Sequence, residues 1–165
     1  MIEFRKISEF PRGTLYNQLV DAYSFNDKCK KTWDTSWKEY DDYFYDYLDI
    51  ADKYCIITVL GGEPIGHISW DPRHKPNYVE IGHNCIITNH KGKGYGHIQL
   101  EEAIRRIKEY ENLKKIIVTT NKIFVSAQKN YESVGFIKIN ERENKDTPFS
   151  LNYIDYEIVM KGENK

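Results

Sequence analysis

The chain has 165 residues and is 40% hydrophobic, with 24 Lys and Arg against 25 Asp and Glu for a formal net charge of -1. That length builds one domain around one sizeable core, so residues 1–165 are read as a single domain. The near-neutral charge and the lack of any apolar run approaching the roughly 18 residues of a membrane span leave no expectation of a nucleic-acid or membrane partner.

Met1 to Ser8 alternates in the manner of a strand, and after Pro11 and Gly13 the segment Thr14 to Ser24 takes a helical period with Leu15, Leu19 and Ala22 inward. From Asn26 to Leu48 the aromatics Trp33, Trp37, Tyr40, Phe44 and Tyr47 recur at three or four residues, the period of one helix face. Lys53 to Leu60 is rich in β-branched residues, and Glu63 to Trp70 resumes the apolar pattern after Gly61-Gly62, which predicts a hairpin. A third strand, Tyr78 to Thr88, runs into the glycine-rich stretch HKGKGYG, His90 to Gly96, and a helix begins near Gly94 with Leu100, Ala103, Ile104 and Ile107 on one face. Lys114 to Thr120 reads as a buried strand, Val125 to Val134 as a short helix, and Phe136 to Arg142 and Asn152 to Met160 as two last strands. The predicted order is βααβββαβαββ, a fold of α/β (α+β) class without repeats or linkers.

Cys29, Cys55 and Cys85 lie far apart with no CxxC pair, which fits neither a disulfide framework nor a zinc site. Reduced thiols and a cytoplasmic location are expected. The N-terminus mixes charges with its apolar residues and so does not read as a signal peptide. His67, His74, His90 and His97 form no convergent set at ligand spacing, so no metal site is expected.

A strand that delivers a glycine-rich turn into a helix N-terminus presents backbone N–H groups and the positive end of the helix dipole, the elements of a phosphate cradle. Read alone, such a cluster is equally an ordinary turn. A Walker A loop is excluded because Gly96 is followed by His97 and Ile98, which leaves no hydroxyl for magnesium, and a dinucleotide fingerprint is excluded because His97 stands where its third glycine belongs. The spacing that fits is (Arg/Gln)xxGxG, with Lys91, Gly94 and Gly96 at the defining positions. Together with Ala127, Tyr131, Gly135 and Phe136 in an AxxxYxxxGF arrangement, the sequence resembles the GNAT superfamily of acyl-CoA-dependent N-acetyltransferases over essentially its whole length. Two departures stand out. Lys91 replaces the family's Arg or Gln, and Phe124 stands where the family often has Asn, a role that Asn121 would take over.

The resemblance implies a mixed central sheet flanked by helices and an activity that moves an acetyl group from acetyl-CoA to a primary amine of a small molecule or peptide by direct attack. It implies that the CoA pyrophosphate rests on Gly92, Lys93, Gly94, Tyr95 and Gly96, with Lys91 nearby as a point charge, while the pantetheine arm runs beside the backbone of Cys85, Ile86 and Ile87. An N–H near Ile86 would hold the oxyanion, Tyr131 would protonate the leaving thiolate, and Glu80, 11 residues before Lys91, would act as base. His83 is the reserve base, on the face opposite Glu80 if the strand alternates regularly. Between Trp33 and Asp52 seven acids and one lysine interleave with aromatics, which reads either as a wall for a cationic amine or as a core stripe with a solvated acidic face. An acyl-CoA-binding module without catalysis is the alternative function, and pairing of the β-rich C-terminal half would make a homodimer.

Overall fold

The computed structural model describes residues 1–145, 147–149 and 151–161. In chain order the elements are β1 (Ile2–Arg5), α1 (Thr14–Ala22), α2 (Asp27–Asp46), α3 (Leu48–Tyr54), β2 (Cys55–Leu60), β3 (Glu63–Asp71), β4 (Val79–Ile86), α4 (Tyr95–Ile107), β5 (Lys115–Asn121), α5 (Val125–Ser133), β6 (Ile137–Arg142) and β7 (Tyr153–Val159). The strands form one sheet of seven in the order β1-β2-β3-β4-β5-β7-β6. Among the described residues no helix is long and apolar enough to cross a membrane.

Every adjacent pair is antiparallel except β4 and β5, which run parallel and register only through Val79 with Ile116 and Glu80 with Ile117. Beyond those pairs the two strands part, leaving an open edge on β4. One sheet face packs on α4 and α5, where Val79, Ile81, Leu100, Ala103, Ile107, Ile116, Val118 and Tyr131 are buried together. On the other face lie α1, α2 and α3, burying Leu15, Tyr45, Ala51 and Ile57 in one cluster and Leu19, Cys29, Trp37 and Cys85 in the next. The 3.6-residue period of the helices and the alternation of the strands produce this division.

The sequence reading needs one correction to its element order, because a third helix stands where it ran a strand from Lys53. Tyr47, at φ -128 and ψ 63, ends α2 and opens α3, and its carbonyl accepts the N–H groups of Ile50 and Ala51 at 3.0 Å each. A helix of seven residues completes too few turns for its period to register in the sequence. The order is therefore βαααβββαβαββ.

The seat of α1 is set from outside that helix. Gly13, its N-cap, has φ 99 and no side chain with which to satisfy the first amides. Asp41 of α2, 3% exposed, supplies both acceptors: Oδ1 takes the Gly13 N–H and Oδ2 the Tyr16 N–H, each at 3.0 Å. Asp41→Ala strands two part-buried donors and is expected to lower unfolding free energy by about 1–3 kcal/mol. Asp41→Asn, which keeps one acceptor oxygen, should fall between that variant and the parent, as read by urea titration.

Candidate active site

The glycine loop has the geometry of an anion cradle. Gly92 and Gly94 sit at φ 75 and 87, which side chains rarely adopt, and Gly94 is the N-cap of α4. Among the described residues the N–H groups of Gly92, Lys93 and Gly94 donate to no carbonyl. They lie at or just before the N-terminus of α4, the positive end of its dipole. A β-carbon on Gly96 would lie 3.5 Å from Asn130 Nδ2 and 3.7 Å from Ile86 Cγ1, so at this point the loop closes on β4 and α5. These elements enclose a cavity of about 830 Å³, walled by Asn84, Cys85 and Ile86 of β4, Ala127 and Asn130 of α5, and an aromatic rim of Tyr23, Phe25 and Phe124.

Of the residues singled out in the sequence, Cys85, Ile86, Lys91, Gly92, Gly94 and Gly96 line this cavity. Ile87 is placed differently: its N–H donates to the Ile65 carbonyl at 2.8 Å and its own carbonyl accepts from His90 N at 3.0 Å. Its backbone is thus engaged within the protein, and the alternation of an antiparallel ladder turns the polar groups of Ile86 towards the open edge instead. Lys91 departs from its expected part as a phosphate charge, since Nζ donates to the Ala22 carbonyl and lies 4.8 Å from the Phe25 ring centre. Burial pushes its pKa down. The same junction holds two more bonds, from Thr88 N to Asp21 Oδ1 at 2.7 Å and from the Thr88 hydroxyl to the Asp21 carbonyl at 2.9 Å. Lys93 is exposed with Nζ 3.4 Å from the Asn89 carbonyl, and the Tyr95 ring rests against His90 at 6.1 Å. Asn121 accepts from Ile123 N at 2.9 Å and donates to the Leu151 carbonyl at 3.1 Å, so it shapes the turn from β5 to α5 outside the cavity lining.

Tyr131 is 5% exposed and packs against Phe136 and Tyr156 at 5.6 and 6.0 Å between ring centres. Burial raises its pKa, and the Asn84 amide beside its hydroxyl acts in the opposite direction. Asn84 in turn is held by Gln99, whose Nε2 lies 2.8 Å from Asn84 Oδ1. Neither amide stood out in the sequence. A signal was present, for Gln99 repeats at four-residue steps with Ala103 and Ile107 and is a polar residue on an apolar stripe.

A bulge rearranges β4. Ile68 pairs with Asn84 and Trp70 with Ile81, so Gly82 and His83 together face Ser69. Glu80 and His83 therefore share the face towards α2, whereas Ile81 and Asn84 turn to α4, which corrects the expectation of opposite faces. Gly82 suits the crowded position, because a β-carbon there would come within 3.2 Å of Ser69 Oγ. The His83 ring lies 4.3 Å from that of Tyr40, and burial pushes its pKa down to about 4. Glu80 is half-buried, and burial followed by the nearby Asp71 raises its pKa. Deeper still, His67 is fully buried with Nδ1 2.7 Å from Gln18 Oε1 and 3.5 Å from Cys85 Sγ.

Most acids of the Trp33 to Asp52 stretch have partners inside the protein. Asp34 pairs with Lys38 at 3.0 Å and accepts the Tyr16 hydroxyl, Asp42 and Asp46 pair with Arg12 at 3.1 and 2.7 Å, and Asp52 takes the Ser8 N–H at 3.0 Å. Asp41 caps α1 as described. Most aromatics of this stretch pack inward, with Trp37 2% exposed and Trp33 stacked on Phe149 at 5.3 Å, whereas Tyr43 and Tyr47 are 48% and 51% exposed. Of the two readings of this stretch, its contacts match the core stripe.

A family model described as "Acetyltransferase (GNAT) family" matches residues 14–136. A Danio rerio protein named N-acetylaspartate synthetase is 25% identical over 122 residues, which is 65% of this chain and 42% of that protein, so the chain spans less than half of that relative's length. The ribosomal-protein-S18-alanine N-acetyltransferase of Escherichia coli superposes with a TM-score of 0.72 at 14% identity, covering 100% of this chain and 99% of the other. An acetyltransferase of Elizabethkingia anophelis with acetyl-CoA bound superposes with a TM-score of 0.68 at 16% identity, covering 97% of each chain.

The buried imidazoles make stability depend on pH. Burial lowers the pKa of His67 from 6.5 to about 3 in the folded protein, so between those values the unfolded chain binds a proton that the folded one refuses. Stability is therefore full above pH 6.5 and declines as the pH falls, at up to about 1.4 kcal/mol per pH unit for each such histidine. Urea midpoints should drop from pH 7 to pH 5, and His67→Gln should flatten that slope whatever its effect at pH 7.

Proposed function

The chain belongs to the GNAT family of acetyltransferases, and from that membership we propose that it transfers an acetyl group from acetyl-CoA to a primary amine by direct attack within a ternary complex. The observation that carries this reading is the joining of two features in one cavity: amides at the N-terminus of α4 that donate to no carbonyl among the described residues, and a β4 edge left open at Asn84 to Ile86. The first fits a pyrophosphate and the second an extended pantetheine arm, which can pair with an unpaired strand edge as another strand would. In this reading the donor lies on Gly92 to Gly96 and along Cys85 and Ile86.

In this reading the backbone N–H of Ile86 faces the thioester oxygen and stabilises the oxyanion that forms on attack. The amine arrives as ammonium and must lose a proton. Glu80, its pKa raised by burial, takes that proton through water, and His83 on the same face is the second base. As the carbon–sulfur bond breaks, the Tyr131 hydroxyl gives its proton to the departing thiolate. Among the described residues no ion pair engages Glu80, and in this reading its carboxylate favours a cationic acceptor in place of the internally paired acids of α2.

Thiol release from acetyl-CoA across polyamines, aminoglycosides, lysine peptides and amino acids tests the reading. Aspartate is included because of the name of the Danio rerio relative. Tight CoA binding without release from any amine would overturn it in favour of the binding module. With an active amine in hand, Tyr131→Phe is expected to lower kcat about 100-fold with little change in KM for acetyl-CoA. Glu80→Gln should remove the acidic limb of the kcat/KM profile, since that limb reports a base that must be unprotonated. An unchanged limb would dismiss Glu80.

A further inference from the structure

Among the described residues five buried side-chain nitrogen and oxygen atoms have no hydrogen-bond partner, and only two of them, His90 Nδ1 and Asn130 Oδ1, belong to residues that line the cavity. A buried polar atom left unmet is costly, so one that borders a cavity points to a ligand. The His90 ring is already engaged through its other nitrogen, which lies 3.3 Å from Glu63 Oε2. The Asn130 oxygen has no such history.

The helical period brings Asn130 to this place. Within the cavity lining Ser126, Asn130 and Ser133 follow one another at four and three residues, a polar stripe along one side of α5, while Tyr131 is buried in the core. At Asn130 the stripe meets the rest of the site: a β-carbon on Gly96 would lie 3.5 Å from Asn130 Nδ2 and 3.7 Å from Ile86 Cγ1. Glycine loop, β4 and α5 come together there.

An amide oxygen accepts an N–H or an O–H. The phosphates of an acyl-CoA present oxygens that would repel it, whereas the pantetheine arm carries amide N–H groups. An extended arm paired with β4 along one side turns its remaining polar groups the other way, where they need partners from a second wall. Asn121, expected to serve the donor, spends both ends of its amide on the turn after β5. We propose that Asn130 is a binding residue for the donor arm: its Oδ1 accepts an N–H of pantetheine and holds the arm where the glycine loop meets β4. This rests on the acyl-CoA reading above. The free protein then carries an unmet acceptor that only the bound donor satisfies.

Calorimetric titration with CoA and with adenosine 3′,5′-bisphosphate, which has the phosphates and lacks the arm, tests the contact without any acceptor amine. In the near-isosteric Asn130→Leu the Kd for CoA is expected to rise about tenfold, while that for the bisphosphate stays within twofold. The urea midpoint of the free variant should equal or exceed the parent's, because an unmet polar atom has given way to an apolar group. A residue that merely packs would lose stability without separating the two ligands. Asn130→Ala, which cannot crowd Gly96, repeats the ligand split and serves should the leucine variant fold poorly. A Kd for CoA within twofold of the parent in both variants overturns the proposal. So does a bisphosphate Kd raised in step with that of CoA, which would set the oxygen at the phosphate end. A parent that binds no CoA would sink the acyl-CoA reading itself, whereas a parent that binds CoA no better than the variants removes Asn130 alone.

Discussion

The parallel ladder between β4 and β5 lasts for two residue pairs and then stops, and the site is arranged around that parting. A strand edge inside a sheet is normally paired, because unmet N–H and C=O groups are costly away from water. Here the end of β4, from Asn84 to Ile86, borders the cavity, so the backbone itself becomes part of the cavity wall. The glycine loop follows directly from the end of this strand and turns its amides to the same side. Sheet and helix thereby offer backbone polarity to one volume, and few side chains are needed to define it.

The bulge opposite Ser69 divides labour along β4. Upstream and within the bulge, Glu80 and His83 turn to the α2 face. Downstream, Asn84 reaches across to Gln99 on the α4 face, while Cys85 turns back to His67. One added residue thus puts Glu80 and His83 on one face of β4 and Ile81 and Asn84 on the other. The cost is a set of polar side chains buried between layers, and they are accommodated because nearly every one has a partner.

Much of this was legible in the sequence where a pattern had room to repeat. Periodicity located α4, the β2–β3 hairpin and β7, and the spacing of Lys91, Gly94 and Gly96 identified a loop whose backbone conformation demands glycine. The unread parts share a physical cause, namely that they depend on partners distant in the chain. α3 is too short to show a period. In VEIGHNCI the alternation lapses after Gly82, but which residue is the extra one is fixed only by pairing with Ser69. Lys91 looked like a phosphate ligand because sequence shows the charge but not the Ala22 carbonyl that receives it. Asp41 likewise was one acid among seven until Gly13 and Tyr16 came into contact with it.

The bonds from Lys91 and Thr88 to the last residues of α1 carry a mechanical consequence. They rivet the segment that leads into the glycine loop to the C-terminal end of α1. Loop and helix cannot shift independently of each other while those bonds hold. A displacement that begins at one of them is transmitted to the other as a rigid lever transmits a push, with the far end of α1 at Gly13 as the fulcrum that Asp41 secures.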